Sequence, residues 1–151
     1  METLQHAGEI VDTMLGYLGF VVHVETEDAP EGPTVQIFTE ESEYLIGEHG
    51  ERLDDIQYLV NRILLAKDKT APRVRVDVAH YRAMREDELV QRVQELAEKV
   101  RVTGKPVRTQ PMNSYNRRIV HNALVDDPDI ETWSPSERSR VKRITLRMKR
   151  K

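Results

Sequence analysis

Apolar and polar residues alternate along the chain with a period that changes from segment to segment. Apolar residues recur three or four positions apart from Leu4 to Leu18, which predicts an amphipathic helix. They alternate with polar residues over Phe20 to Glu25 and over Thr34 to Thr39, which predicts two strands. The segment between these strands, Asp28 to Pro33, is dense in turn-forming residues. We therefore expect an antiparallel hairpin with a loose loop.

The helical period returns on both sides of a short turn with glycine at each end. Apolar residues at helical spacing over 43–46 and 53–64 flank the turn Gly47-Glu48-His49-Gly50. A polar break at 67–72 precedes the alternating valines of 74–78, which predict a third strand. The predicted order of this part is therefore helix, strand, strand, helix, turn, helix, strand.

The second half of the chain has its own series of patterns. They predict a long helix over 81–102, a short strand over 105–110, a helix that Asn113 or Ser114 caps, a strand over 130–133 and a final strand over 143–149. Gly104 is expected to end the long helix, and Asp126-Asp127-Pro128-Asp129 is expected to end the next one. The final strand has one apolar face and one face that is nearly all basic. The fold class predicted for the whole chain is α+β.

Charge divides the chain more sharply than its net value of −3 indicates. Residues 1–80 contain six basic and sixteen acidic residues, a net of −10, whereas residues 81–151 contain seventeen basic and ten acidic residues, a net of +7. An asymmetry of this size indicates two units with different partners, although a polar protein whose solvated faces differ is the simpler alternative. We predict two domains, residues 1–80 and 81–151.

Composition and missing motifs exclude several classes of function. The chain has no cysteine, which excludes disulfides, thiol catalysis and Cys-ligated metal sites. No apolar run spans a bilayer and the N-terminal residues do not resemble a signal peptide, so we expect a cytoplasmic protein without membrane insertion. Nucleotide-binding, zinc-protease and serine-hydrolase motifs are absent, and the five histidines are scattered. We expect no catalytic residue, no metal and no cofactor; a metal-dependent nuclease built on the acids of 126–129 is the enzymatic alternative.

The Gly47-x-x-Gly50 turn has the features of a loop that contacts phosphate. Glycine lets the backbone approach a bulky group and adopt positive φ, and the next helix presents unpaired N–H groups to an anion. A tight helix–helix turn without a ligand is the alternative. In its setting the turn resembles that of a type II KH domain, which implies that Gly47, His49, Gly50 and Arg52 contact RNA. Glu48 would repel phosphate, so the same resemblance implies a KH fold and a weak contribution from this loop.

Arg117 and His121 lie four residues apart and therefore share one face of a predicted helix. A guanidinium group suits phosphate or a base edge, and an imidazole can stack on a base or hydrogen-bond it. A surface arginine beside a locally packed histidine is the alternative. With a long helix and a short strand before it and a hairpin after it, the motif resembles an R-three-H domain, a small α/β domain that binds single-stranded nucleic acid.

A KH domain followed directly by an R-three-H domain resembles the Jag family of bacterial proteins, also called KhpB or EloR. The stretches LIGEHGERLDDIQYLVNRIL and VDVAHYRAMREDEL carry the resemblance beyond the two motifs. It implies a non-enzymatic RNA-binding protein that regulates gene expression after transcription or is tied to cell elongation and division. Typical members also have an N-terminal Jag domain, so we expect a short form without it. Some members pair with a small single-KH protein.

Basic residues near the motif extend the expected RNA-binding surface. The candidates besides Arg117 and His121 are Lys105, Arg108, Arg118, Arg138, Arg140, Arg143 and Arg147, with Tyr115 and Trp133 as stacking partners for bases. We expect Trp133 to be the more exposed of the two aromatic residues. The expected partner is single-stranded RNA, with single-stranded DNA left open. The alternative is a protein-interaction module, in which the acidic half pairs with another KH protein or with a second copy of the chain.

Overall fold

The computed structural model describes residues 2–150, which fold into two compact units that divide between Arg82 and Ala83. Each unit combines helices with a three-stranded sheet, so the predicted α+β class is confirmed. The observed division differs by two residues from the predicted domain limits of 1–80 and 81–151. None of the helices within residues 2–150 has both the length and the apolar character needed to cross a membrane.

The first unit has the predicted order of elements. These are α1 (Glu2–Tyr17), β1 (His23–Ala29), β2 (Gly32–Phe38), α2 (Ser42–Ile46), α3 (Glu51–Lys67) and β3 (Arg75–Val78). A 3-10 turn over Glu48–Gly50 separates α2 from α3. The sheet order is β1-β2-β3, with β1 antiparallel and β3 parallel to the central strand β2. Buried apolar side chains from α1, α3, β2 and β3 form one core beneath this sheet.

The hairpin of the first unit is tighter than its sequence indicates. Strand β1 begins at His23 rather than at Phe20, and its pairing with β2 continues to Ala29 opposite Gly32. Only Pro30 and Glu31 remain for the turn, so the predicted loose loop is wrong. Turn-forming residues did not prevent pairing here because a proline near the start of a strand costs little ladder hydrogen bonding.

The second unit consists of most of α4 (Tyr81–Thr103), followed by β4 (Val107–Arg108), α5 (Ser114–Leu124), β5 (Ile130–Trp133) and β6 (Thr145–Met148). The strands form an antiparallel sheet in the order β4-β6-β5. Its core contains Val93, Ala97, Val100, Val120, Leu124, Ile130, Ile144 and Leu146. Strand β4 is shorter than the predicted 105–110. Thr109 still donates its N–H to the Ile144 carbonyl oxygen, but the Ile144 N–H bonds to the Thr109 hydroxyl and not to its carbonyl oxygen, which ends the regular ladder.

Helix α5 begins where its capping residue predicts. The side chain of Asn113 accepts a hydrogen bond from the backbone N–H of Asn116 at 2.9 Å, which confirms Asn113 as the N-cap. After the helix, the Asp127 carboxylate accepts the backbone N–H groups of Asp129 and Ile130, each at 2.9 Å. The acidic run therefore forms the turn that leads into β5.

Side chains of α3 cover the outer edge of β3 in the first unit. The Asn61 carboxamide donates to the Val74 carbonyl oxygen at 2.7 Å and accepts the Val74 N–H at 2.8 Å. The Gln57 side chain accepts the Val76 N–H at 2.9 Å. Backbone groups at a buried sheet edge need hydrogen-bond partners. The side-chain amides of Asn61 and Gln57 supply the hydrogen bonds that a neighbouring strand would otherwise make.

We expect Asn61→Leu to lower the free energy of unfolding by about 2 kcal/mol, since it leaves two backbone groups of Val74 without partners. Urea denaturation followed by circular dichroism measures the change. The matched control is Arg62→Leu, which removes an exposed side chain from the next position of the same helix. Equal destabilisation by the two variants would contradict the role assigned to Asn61.

Candidate nucleic-acid interface

Arg117 connects the start of α5 to the segment that precedes β6. Its Nη1 atom donates to the carbonyl oxygens of Met112, at 2.8 Å, and Arg140, at 3.4 Å. Met112 and Lys142 also exchange two backbone hydrogen bonds of 3.0 Å each. Within residues 2–150 the Nε and Nη2 groups of Arg117 make no hydrogen bond, so one side of the guanidinium is free to donate to a ligand.

An open cavity of about 600 Å³ lies beside this guanidinium group. Its lining residues are Asn113, Ser114, Arg117, Ser139, Arg140 and Val141. The first residues of an α-helix carry unpaired N–H groups and the positive end of the helix dipole, which attract an anion. An arginine beside such a helix start suits a phosphate group. The sequence indicates Arg117 and Arg140 as binding residues and Asn113 and Ser114 only as helix caps. It gives no signal for Ser139 and Val141, because only the fold brings residues 139–141 to the start of α5.

His121 lies one turn further along α5, on the side that faces the sheet. Its Nδ1 atom is 2.5 Å from the Thr132 hydroxyl oxygen on β5. Burial lowers the pKa of His121 below its ordinary value, and the positive charge of Arg117 lowers that pKa further. The imidazole is therefore neutral at pH 7 and offers hydrogen bonding or stacking, not positive charge, to a ligand. Thr132 was not expected to have this role; its alternation with the core residue Ile130 is the signal that could have identified it.

Most of the other predicted basic residues lie outside the lining of this cavity. Arg140 lines the cavity, whereas Lys105, Arg108, Arg118, Arg138, Arg143 and Arg147 do not. Arg147 donates from Nε to the Glu131 carboxylate at 2.8 Å on the neighbouring strand. The last strand keeps the predicted apolar and basic faces, but the adjacent strand adds an acid to the basic face that a single-strand pattern does not show.

The two candidate stacking residues are equally exposed, at 49% each, so the expectation that Trp133 is the more exposed is wrong. Tyr115 is partly held in place, since its hydroxyl donates to the Glu86 carboxylate at 2.6 Å. Trp133 lies at the end of β5, opposite Thr145 on β6. Trp133 is exposed because β5 ends at this residue, and Tyr115 is exposed to the same extent because it lies in the first turn of α5.

The glycine-bounded turn of the first unit adopts the backbone that its sequence predicts. Gly47 and Gly50 have φ values of 71° and 81°, which favour glycine. A Cβ atom at Gly47 would lie 2.8 Å from Cγ of Arg52, so the position excludes other side chains. Arg52 folds over the turn and donates to the Tyr44 carbonyl oxygen at 3.0 Å. Part of the donor capacity of the candidate base is therefore used within the turn.

Negative charge surrounds this turn. The side chains of Glu48 and His49 are 83% and 77% exposed, and Oε1 of Glu48 lies 3.8 Å from Nε2 of His49. Glu51 and Asp54 occupy the first turn of α3, where their carboxylates favour the positive end of the helix dipole. Asp54 pairs with Arg82 at 2.8 Å. The carboxylates at the start of α3 would repel an incoming phosphate. A helix start that binds phosphate presents its free N–H groups without such negative charge nearby.

The acids of the turn before β5 are engaged in local structure. Burial opposes ionisation of Asp127, but the backbone N–H groups of Asp129 and Ile130, together with Arg101 and Lys149, outweigh it and hold its pKa below the ordinary value. Asp127 also forms an ion pair with Arg101. Throughout residues 2–150, no three His, Asp or Glu side chains cluster in a way that could hold a metal ion.

Comparison with known proteins gives the two units a family context. The sequence matches the R-three-H domain family over residues 87–145. It is 32% identical over 139 residues to RNA-binding protein KhpB of Clostridium symbiosum, covering 90% of this chain and 63% of that protein. It is 27% identical over 139 residues to RNA-binding protein KhpB of Bacillus subtilis, covering 91% of this chain and 67% of that protein. The chain thus spans about two thirds of the length of these relatives.

We expect NMR titration to give His121 a pKa below about 6.5, the value of an unperturbed histidine. Arg117→Gln should raise this pKa without restoring the ordinary value, since burial is the larger cause. Because the folded-state pKa is the lower one, unfolding takes up a proton as the pH falls. The contribution of neutral His121 to stability is therefore present above about pH 6.5 and lost as the pH falls towards the folded-state pKa. A pKa at or above 6.5 would contradict this assignment.

Proposed function

The chain belongs to the Jag family of KhpB proteins, and from this membership we propose that it binds single-stranded RNA without catalysing a reaction. The proposed domains are a KH domain over residues 1–80 and an R-three-H domain over 81–151. The element order of the first unit supports the KH assignment, and the R-three-H match over 87–145 supports the second. We also propose that the protein regulates gene expression after transcription, or cell elongation and division. The proposed location is the cytoplasm.

The observation that carries the proposal is the cavity at the start of α5. It combines a helix N-terminus, the free side of the Arg117 guanidinium and the neighbouring Arg140 in a segment of positive net charge. These groups suit an RNA phosphate, and the neutral His121 four residues along the same helix suits a base or a ribose hydroxyl. We propose Arg117, His121 and Arg140 as the centre of the site.

The outlying basic residues act in this proposal as a diffuse attraction for the RNA backbone. Lys105, Arg108, Arg118, Arg138, Arg143 and Arg147 increase the local positive potential, which draws RNA to the second unit and releases counterions on binding. The Gly47–Gly50 turn contributes little, since Glu48, Glu51 and Asp54 oppose phosphate and Arg52 is partly engaged. Gly47, His49, Gly50 and Arg52 contribute the shape of the turn and a weak contact with RNA in this proposal. Single-stranded DNA would bind more weakly where the 2′-hydroxyl is read.

We expect the double variant Arg117→Ala, His121→Ala to weaken binding of a labelled single-stranded RNA pool at least about tenfold, as measured by fluorescence anisotropy. The plot of log K against log salt should become shallower by about 0.7 for a lost phosphate contact. Arg92→Ala, an exposed arginine on α4 outside the cavity, is the matched control and should leave affinity nearly unchanged. Thermal unfolding checks that the double variant remains folded. Unchanged affinity in a folded double variant would exclude this site.

A second candidate function is supported by the surface of the acidic unit. Helix α3 exposes Tyr58, Leu59, Ile63 and Leu65, which are 38–64% accessible. Exposed apolar side chains grouped on one helix are typical of contacts between proteins. We propose pairing with another KH protein, or with a second copy of the chain, as the function of this surface if RNA contact is secondary.

Changing the turn to Gly-Asp-Asp-Gly tests whether it contacts RNA, and light scattering tests whether the chain pairs with itself. Glu48→Asp with His49→Asp adds one negative charge, and aspartate tolerates the φ of 54° found at residue 49. A turn that contacts RNA should lose about threefold in affinity from one added phosphate repulsion. Thr13→Asp, at an exposed position of α1, is the charge-matched control. Because unchanged RNA affinity also agrees with a turn that contributes little, light scattering on the wild-type chain decides: twice the 17.5 kDa mass of one chain would favour the interaction module, and the mass of one chain would contradict self-pairing.

A further inference from the structure

The sheet of the second unit has an outer face that the Arg117 site does not use. Ile130 and Thr132 on β5 point towards α5, because Ile130 lies in the core and Thr132 contacts His121. Side chains alternate along a strand, so Glu131 and Trp133 project from the opposite face. The ion pair between Glu131 and Arg147 confirms that β5 and β6 share this outer face.

The register of the three strands brings two large side chains to either side of a small one. Thr145 on the central strand β6 pairs with Arg108 on β4 and with Trp133 on β5. All three lie in one row on the outer face, because Val107, Ile144 and Leu146 of the adjacent positions belong to the inner, packed face. Neighbouring strands are about 4.8 Å apart, so the backbones of Arg108 and Trp133 are separated by about 10 Å.

The spacing of the two backbones leaves room for a stacked base above Thr145. Stacked bases are spaced by about 3.4 Å, so a base between two planar groups requires about 7 Å between them. The indole of Trp133 and the guanidinium of Arg108 are both planar and both stack on bases. Trp133 is half exposed, and Arg108 is exposed and makes no ion pair or side-chain hydrogen bond in the part of the chain that the structure describes.

The charge of this face favours a nucleic acid over an apolar partner. Arg143 extends the row of outward positions on the β6 side, and it too is exposed and without an acidic partner among residues 2–150. Glu131 is the acid on this face, and Arg147 neutralises it at 2.8 Å. An exposed aromatic ring on β5, with Arg108 across the sheet and Arg143 on the β6 side, complements a base with its flanking phosphates.

We propose that the outer face of this sheet binds one unpaired base of single-stranded RNA between Trp133 and Arg108, above Thr145. This subsite rests on the proposed RNA-binding function but is separate from the Arg117 cavity, since none of its three residues lines that cavity. The cavity holds phosphate and the sheet face holds a base. A bound strand would therefore contact both surfaces of the second unit.

Trp133 is the single tryptophan of the chain, so intrinsic fluorescence reports on this position alone. A labelled ten-nucleotide oligouridine is titrated into the full chain while its anisotropy and the tryptophan emission are recorded together. Stacking predicts quenching of the emission over the same concentration range in which anisotropy rises. A ten-unit abasic ribose-phosphate strand carries the charge without bases, and it should bind without this quenching.

Variants test the contribution of the ring to affinity. Trp133→Leu should weaken oligouridine binding about tenfold, and Trp133→Phe should restore most of it because phenylalanine also stacks. Arg108→Gln should weaken binding to base-bearing RNA more than to the abasic strand. Tyr17→Leu, which removes a more exposed ring from the acidic unit, is the matched control and should have no effect.

The outcomes separate the subsite from the function on which it rests. If oligouridine binds with normal affinity but neither quenches Trp133 nor responds to Trp133→Leu, the subsite is wrong and RNA binding stands. Equal quenching by the abasic strand would also overturn it, because that signal would arise from charge alone. Absence of any anisotropy change with the wild-type chain would overturn both proposals. If Trp133→Leu unfolds at the same temperature as the wild-type chain, misfolding is excluded as the cause of weaker binding.

Discussion

The register of β6 between β4 and β5 is the constraint on which the second unit depends. Because side chains alternate along a strand, one choice of register sends Ile144 and Leu146 into the core and Thr145 and Arg147 outward. Before β6 the chain runs back to Lys142, which pairs with Met112 just before α5 after a shift of one residue from the register of β4 and β6. A slip of one residue would bury arginine and move the segment of Arg140 away from the helix start. Core packing therefore determines both the cavity and the outer face.

Arg117 illustrates how a binding motif can depend on a structural role. Its guanidinium bonds two backbone carbonyl oxygens and so holds residues 140–142 against the start of α5, while its remaining donors face outward. His121 is similar, since its contact with Thr132 orients the ring and leaves Nε2 for a ligand. The alternative interpretation, a locally packed Arg-x-x-x-His pair, therefore describes the observed contacts of both side chains. These contacts do not prevent the same side chains from binding a ligand. Five donors on one arginine allow both uses.

The glycine turn of the first unit and the Arg117 motif of the second unit lie in different electrostatic surroundings. In the acidic unit, carboxylates occupy the start of α3 and leave little room for a phosphate charge. In the basic unit, the start of α5 is capped by the neutral Asn113 and carries no acid in its first turn. The helix dipole is thus already compensated in the first case and open in the second. This contrast, more than the net charge of either half, supports placing RNA on the second unit.

Local patterning determined much of this protein. Periodicity predicted the order of all the helices and strands, and capping chemistry predicted the start of α5 at Asn113 or Ser114, because both depend on residues close in sequence. The glycine turn followed from the need for positive φ at Gly47 and Gly50. Tertiary structure alone decided the partners of the functional side chains. Glu131 neutralises Arg147, Thr132 orients His121 and residues 139–141 complete the cavity, because strand register and packing join positions that are 11 to 23 residues apart in the chain.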